Sequence, residues 1–161
     1  MSVPDDLEVY ALLSVLERLK AEFPNDTVNF MGTRAKTDGL EQWFDLNLIG
    51  DARMRSRRAN WMGRMLFQVS CVSRLEEGRE NRDAIAPHRL GAAVRKAFEH
   101  VDLPVKKIGA GEDIIATLNI REARQSYLPR RNITFQGQGD FSMEQGNTHA
   151  VVVDFQATLV V

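Results

Sequence analysis

The chain has 161 residues, a length that fits one domain, with 43% hydrophobic and 27% charged residues. These proportions describe a globular protein and exclude a disordered chain. A formal charge of -1, from 21 basic and 22 acidic residues, argues against general electrostatic binding of nucleic acid, and one cysteine excludes an internal disulfide framework or a CxxC metal knuckle.

The start of the chain, with Pro4, Asp5, Asp6 and Glu8, has neither the basic end nor the apolar run of a signal peptide. No stretch reaches the ~20 apolar residues that span a bilayer. The expectation is synthesis in a reducing cytoplasm, which makes the sequons at Asn25 and Asn132 chance matches. Residues 5–23 read as a helix, with Leu7, Tyr10, Ala11, Leu13, Val15, Leu16 and Leu19 forming an apolar stripe. Ser2 and Asp5 have the spacing of a capping box, and Pro24 ends the helix.

Residues 27–31 are a short β-prone run, and 32–39 read as a loop. Residues 42–49 alternate, with Phe44, Leu46 and Leu48 on one face and Trp43, Asp45 and Asn47 on the other. Residues 64–74 alternate likewise, with Met65, Phe67, Val69 and Cys71 inward. The two runs are expected to pair as an antiparallel hairpin. Residues 75–84 read as a charged loop, and a second helix is expected from about Ile85 to His100, with Pro87 in its first turn. Pro104 and the Gly109-Ala110-Gly111 turn follow. Residues 114–124 alternate, 136–147 form a Gly-punctuated loop, and Thr148 to Val161 close the chain as a strand whose inward set is Val151, Val153, Phe155, Ala157, Leu159 and Val161. This order predicts one α+β domain over residues 1–161, a mainly antiparallel sheet with two amphipathic helices packed on one face.

A search for chemistry yields no phosphate loop, no HExxH and no GxSxG. Gly109-Ala110-Gly111 is followed by Glu112 and Asp113, which would repel phosphate, and a strand follows where a phosphate-binding helix is needed. His88, His100 and His149 are scattered, without metal-ligand spacing. Cys71 falls on an inward strand face and reads as a small buried hydrophobe. The expectations are no enzymatic activity, no metal and no cofactor.

One feature departs from average composition. Arginine outnumbers lysine 16 to 5, and Arg53, Arg55, Arg57, Arg58 and Arg64 cluster where the only acid is Asp51. As a continuing strand, Arg53, Arg55 and Arg57 share a face; as a short helix, Arg53 and Arg57 do. The guanidinium fork pairs bidentately with carboxylate or phosphate in a way that lysine does not. The segment is an exposed arm with solvated charges, a contact for a protein partner or, least favoured, a contact for nucleic acid.

The succession of an N-terminal helix, a short strand, QWFDLNLIG, a basic excursion, MLFQVSCVSR, a charged loop, LGAAVRKAFEH and the closing HAVVVDFQATLVV resembles the tail-terminator (tail-completion) proteins of long-tailed bacteriophages. The resemblance spans almost the whole chain as a pattern of elements. It implies an α+β subunit of a hexameric ring that caps the tail tube and offers a surface for joining the head. The implied partners are copies of itself, the tail tube protein and a head-completion or neck protein, with DNA passing through the lumen. The implied location is the tail or neck of a virion made in the host cytoplasm. The family has no catalytic residues to carry over. The alternatives are a neck or head-completion connector, a small-molecule enzyme on an α+β sheet, and a small nucleic-acid-binding module.

Overall fold

The computed structural model describes residues 5–31, 33, 37–55, 61–74, 80–107, 109, 113–128 and 148–161. Two helices, α1 (Leu7–Glu22) and α2 (Glu80–Phe98), accompany six strands: β1 (Thr27–Phe30), β2 (Gln42–Arg55), β3 (Trp61–Arg74), β4 (Asp102–Lys106), β5 (Ile114–Leu128) and β6 (Thr148–Val160). The strands form one sheet in the order β1-β2-β3-β6-β5-β4. β1 runs parallel to β2, and every other neighbouring pair is antiparallel. The expected α+β class and mostly antiparallel sheet are present, with the parallel β1–β2 pair as an addition.

Helix α1 forms where the apolar spacing requires it. Leu7, Ala11, Leu12, Val15 and Leu19 are buried on one side. Burying each large side chain contributes about 1.5–3 kcal/mol before the entropy of ordering is subtracted. Its N-cap is Asp6, not the Ser2 of the expected capping box, and Ser2 lies outside the described residues. Glu8 in the first turn complements the helix dipole. At the other end Phe23 N–H donates to Leu19 O at 3.0 Å, and Pro24 follows.

Helix α2 starts earlier than its apolar period suggests. Residues 80–84 are helical although they read as loop, and Pro87 sits inside the helix rather than in its first turn. Apolar period is a poor guide here because residues 80–84 include only one apolar residue, Ala84. Acidic residues such as Glu80 and Asp83 suit the positive end of a helix. Beyond α2, His100 adopts φ 60°, a left-handed conformation that turns the chain into β4. The sequence reading passed over β4 because Pro104 interrupts it. Pro104 is tolerated on this edge strand, while Leu103 and Val105 are buried.

Both helices lie against one face of the sheet, α1 over β1, β2 and β4 and α2 over β3, β5 and β6. The core between them holds the predicted inward sets of β2, β3 and β6, with Phe44, Leu46, Phe67, Val69, Cys71, Val153 and Phe155 fully buried. Val161, expected inward, is exposed. At the centre Phe67 and Phe155 stack at 4.8 Å, and Phe98 of α2 closes on them at 6.3 and 5.6 Å. The opposite face carries no helix among the described residues. Trp43, expected to point outward to water, is buried there with Val72 and Ala150 beneath Leu40. The Arg74 guanidinium lies 6.0 Å from the Trp43 ring centroid, and its Nε and Nη2 donate to the carbonyls of Leu40 and Thr37. The segment before β2 thus folds back over the sheet and covers what alternation alone leaves exposed.

Candidate assembly interface

The described parts of the arginine segment are strand, not helix: β2 continues to Arg55 and β3 begins at Trp61. Arg53 and Arg55 stand opposite Gly63 and Trp61 in the register. Arg57 and Arg58 lie outside the described residues. Arg64 is exposed on β3, between Ala52 of β2 and Thr158 of β6. The structure therefore places Arg64 within the sheet, and Arg53 and Arg55 in the last residues of β2.

Two β-bulges shape the helix-free face. One lies between Leu48 and Gly50 of β2, the other between Ile120 and Glu122 of β5. They fall at the same level of the sheet, because Gly50 pairs with Leu66, Leu66 with Gln156, and Gln156 with Glu122. A bulge kinks its strand and increases the local twist. Between the two bulges the face is concave. One hollow of ≈ 570 Å³ is lined by Asp51, Arg64, Leu66, Arg121, Gln156 and Thr158, among others. It adjoins a second of ≈ 330 Å³ that shares Leu66 and Gln156 and adds Ile49, Gln68, Arg124 and Asp154. Gln68 Nε2 donates to Asp154 Oδ1 at 2.7 Å. Ile49 and Leu66 are exposed apolar residues here, 57% and 42% accessible.

Sequence reasoning missed Arg121 and Arg124 as members of this surface. The signal was present: the apolar run Ile114, Ala116, Leu118, Ile120 resumes at Ala123, an odd step that only a bulge accommodates. Gly50 inside β2 was the matching cue.

Among the described residues, Asp45 and Cys71 inside the sheet are shifted. Burial pushes the Cys71 thiol up to about 12, with the negative charge of Asp45 adding to it. Burial also raises the Asp45 carboxyl above its ordinary value, opposed by hydrogen bonds from Asn29 and Trp43. The Asn29 Nδ2 donor lies 3.0 Å from Asp45 Oδ1. A thiol held this high is protonated at neutral pH and is a poor nucleophile. His88 and His149, scattered in sequence, meet across α2 and β6 with ring centroids 6.5 Å apart, and His100 stands apart at the end of α2. Among the described residues no three His, Cys, Asp or Glu side chains group as a metal site, and no helix is long and apolar enough to cross a membrane.

No family model matches the chain, and no curated protein does. Solved structures share the fold at low sequence identity. A chain from the virion of a native gene transfer agent particle superposes with a TM-score of 0.56 at 12% identity, covering 98% of this chain and 100% of that one. A second solved chain, which carries no functional name, gives 0.56 at 16% identity over 94% of both chains. At these identities the likeness is one of fold.

Proposed function

We propose that the chain is a structural subunit of a phage-type particle, a tail terminator that assembles as a hexameric ring, caps the tail tube and presents the surface to which the head joins. The observation that carries this reading is the fold shared, over almost the full length of both chains, with a chain of a gene transfer agent virion. The order of elements points the same way, because it resembles the tail-terminator family along almost the whole chain. The partners in this reading are other copies of the chain, the tube protein and a head-completion or neck protein. The location is the tail or neck of the particle. No catalytic step belongs to it.

The arginines have a role in the same reading. Arg53, Arg55, Arg57, Arg58 and Arg64 contact neighbouring subunits or the next ring, pairing with carboxylates. Exposed ion pairs contribute only ~0–1 kcal/mol each, whereas close charge pairs desolvated at an interface contribute more.

Deletion of the chain from producing cells tests the proposal. Heads and tubes should both form, and joined particles should be absent when the products are imaged. Normal numbers of joined particles would contradict it.

A further inference from the structure

The outer strands do not cover the strands they pair with. β1 reaches only Leu46 of β2, with Met31 N–H adding one bond to Leu46 O. From Gly50 to Arg55, β2 pairs with β3 on one side and, among the described residues, with no strand on the other. At the opposite border β4 reaches Asn119, and Ile120 N–H donates to Val101 O. From Arg121 to Leu128, β5 pairs with β6 alone among the described residues. Among the described residues the sheet therefore has two open edges, at diagonally opposite corners. One begins at the level where the other ends, along the row Gly50, Leu66, Gln156 and Glu122.

These edges differ from the other two borders. β1 is short and β4 carries Pro104, both devices that blunt an edge against strand addition. Gly50–Arg55 and Arg121–Leu128 contain no proline. Their outward amides and carbonyls need hydrogen-bond partners, from water or from another strand.

We infer that the open edge of β2 in one copy pairs with the open edge of β5 in the next, an antiparallel strand addition that joins subunits head to tail. This rests on the ring proposed above and names the surface that would close it. β2 and β5 run in opposite directions within the sheet, so a neighbour rotated about an axis inclined to the strands brings β5 to β2 antiparallel. Each copy keeps one edge of each kind, so addition repeats until the rotation closes. The offset in level is a stagger, and tilting the strands to the ring axis absorbs it, as shear does in a closed barrel. A twofold β2–β2 contact would set Arg53 and Arg55 of two copies against each other; the β5 edge also carries arginines, Arg121 and Arg124, but adds Glu122 as an acidic partner.

The test is a short bis-maleimide applied to the full chain carrying Asp51→Cys in β2 and Arg124→Cys in β5. Both native residues are exposed, and the buried Cys71 stays silent. A second pair, Arg53→Cys with Ser126→Cys, samples another register. Concentrated protein and particle preparations are both treated, and native mass and imaging report whether rings are present. A ladder of covalent multimers from the double variants, with each single variant remaining monomeric, is the expected result. Rings without a ladder from either pair would overturn the edge pairing and leave the ring reading standing. Dimers from a single variant would replace it with a twofold contact. Absence of any ring in both preparations would overturn the ring reading and this inference with it.

Discussion

Arg18 of α1 donates from Nε and Nη2 to the carbonyl oxygen of Ala97 in the last turn of α2, at 3.1 and 3.0 Å. The acceptor is one of the helix-terminal carbonyls that α2 cannot satisfy internally. The same guanidinium lies 5.8 Å from the Phe98 ring centroid and 3.7 Å from Glu22. One side chain thus joins the two helices over the sheet. Arg18→Ala should lower stability by about 1–2 kcal/mol, since hydrogen bonds from a charged donor contribute about 1.5–3 kcal/mol and this one is partly solvated. Arg18→Lys should recover only part of the loss, because lysine lacks the fork. Urea midpoints at constant m-value measure both; a midpoint unchanged in Arg18→Ala would show that the link is idle.

Phe155 meets Phe67 and Phe98 at the centre of the core. Phe155→Ala should cost about 3–5 kcal/mol through lost burial and the cavity left behind. Phe155→Leu should cost clearly less, and chemical denaturation of the two variants orders them. Equal losses would place the energy in ring stacking rather than in volume.

Asp45 and Cys71 give a pH and reactivity signature. The folded state holds the Asp45 carboxyl above its ordinary value of 3.8, so between that value and the raised one the folded protein binds more protons than the unfolded chain. Asp45 therefore favours folding as pH falls through the raised value, and its charge opposes folding above it. Asp45→Asn should remove this slope, its stability difference from the parent changing through that window and levelling off above it. A parallel pair of stability–pH curves would contradict the assignment. The Cys71 thiol, buried and pushed up to about 12, should resist thiol reagents at pH 8 until the chain unfolds.

Arg57→Glu with Arg58→Glu should leave the fold intact and weaken assembly. Circular dichroism and incorporation into particles measure the two effects. Unfolding of the double variant, or incorporation at the parent level, would remove the arginines from the interface. Phosphate is the rival target. A DNA-binding arm would show affinity falling with salt at a log–log slope of about −0.9 per phosphate contact. No DNA binding is expected at physiological salt.

The sequence made the core legible because alternation and helical periodicity report burial directly. Phe44, Leu46, Phe67, Val69 and Phe155 were all readable in this way, and so was most of the stripe of α1, although the structure buries Leu12 in the core and leaves the expected Leu13 half-buried. Features that depend on tertiary context were not. Trp43 is buried only because Leu40 and Arg74 return over it. The polar start of α2 carries no apolar period, and Pro104 concealed β4. The concave face was hidden for a similar reason: its two bulges sit in strands far apart in sequence, and only the pairing of β3 with β6 brings them to one level. For the arginine cluster, composition drew attention to the segment, but the choice between strand and helix needed the hairpin register.

Averaged electron images of intact particles, with the chain located by a small fused tag, test the central claim most directly. The account predicts a ring of six copies at the junction between tail tube and head. Tag density elsewhere in the particle, or no symmetric ring containing the chain at that junction, would contradict it.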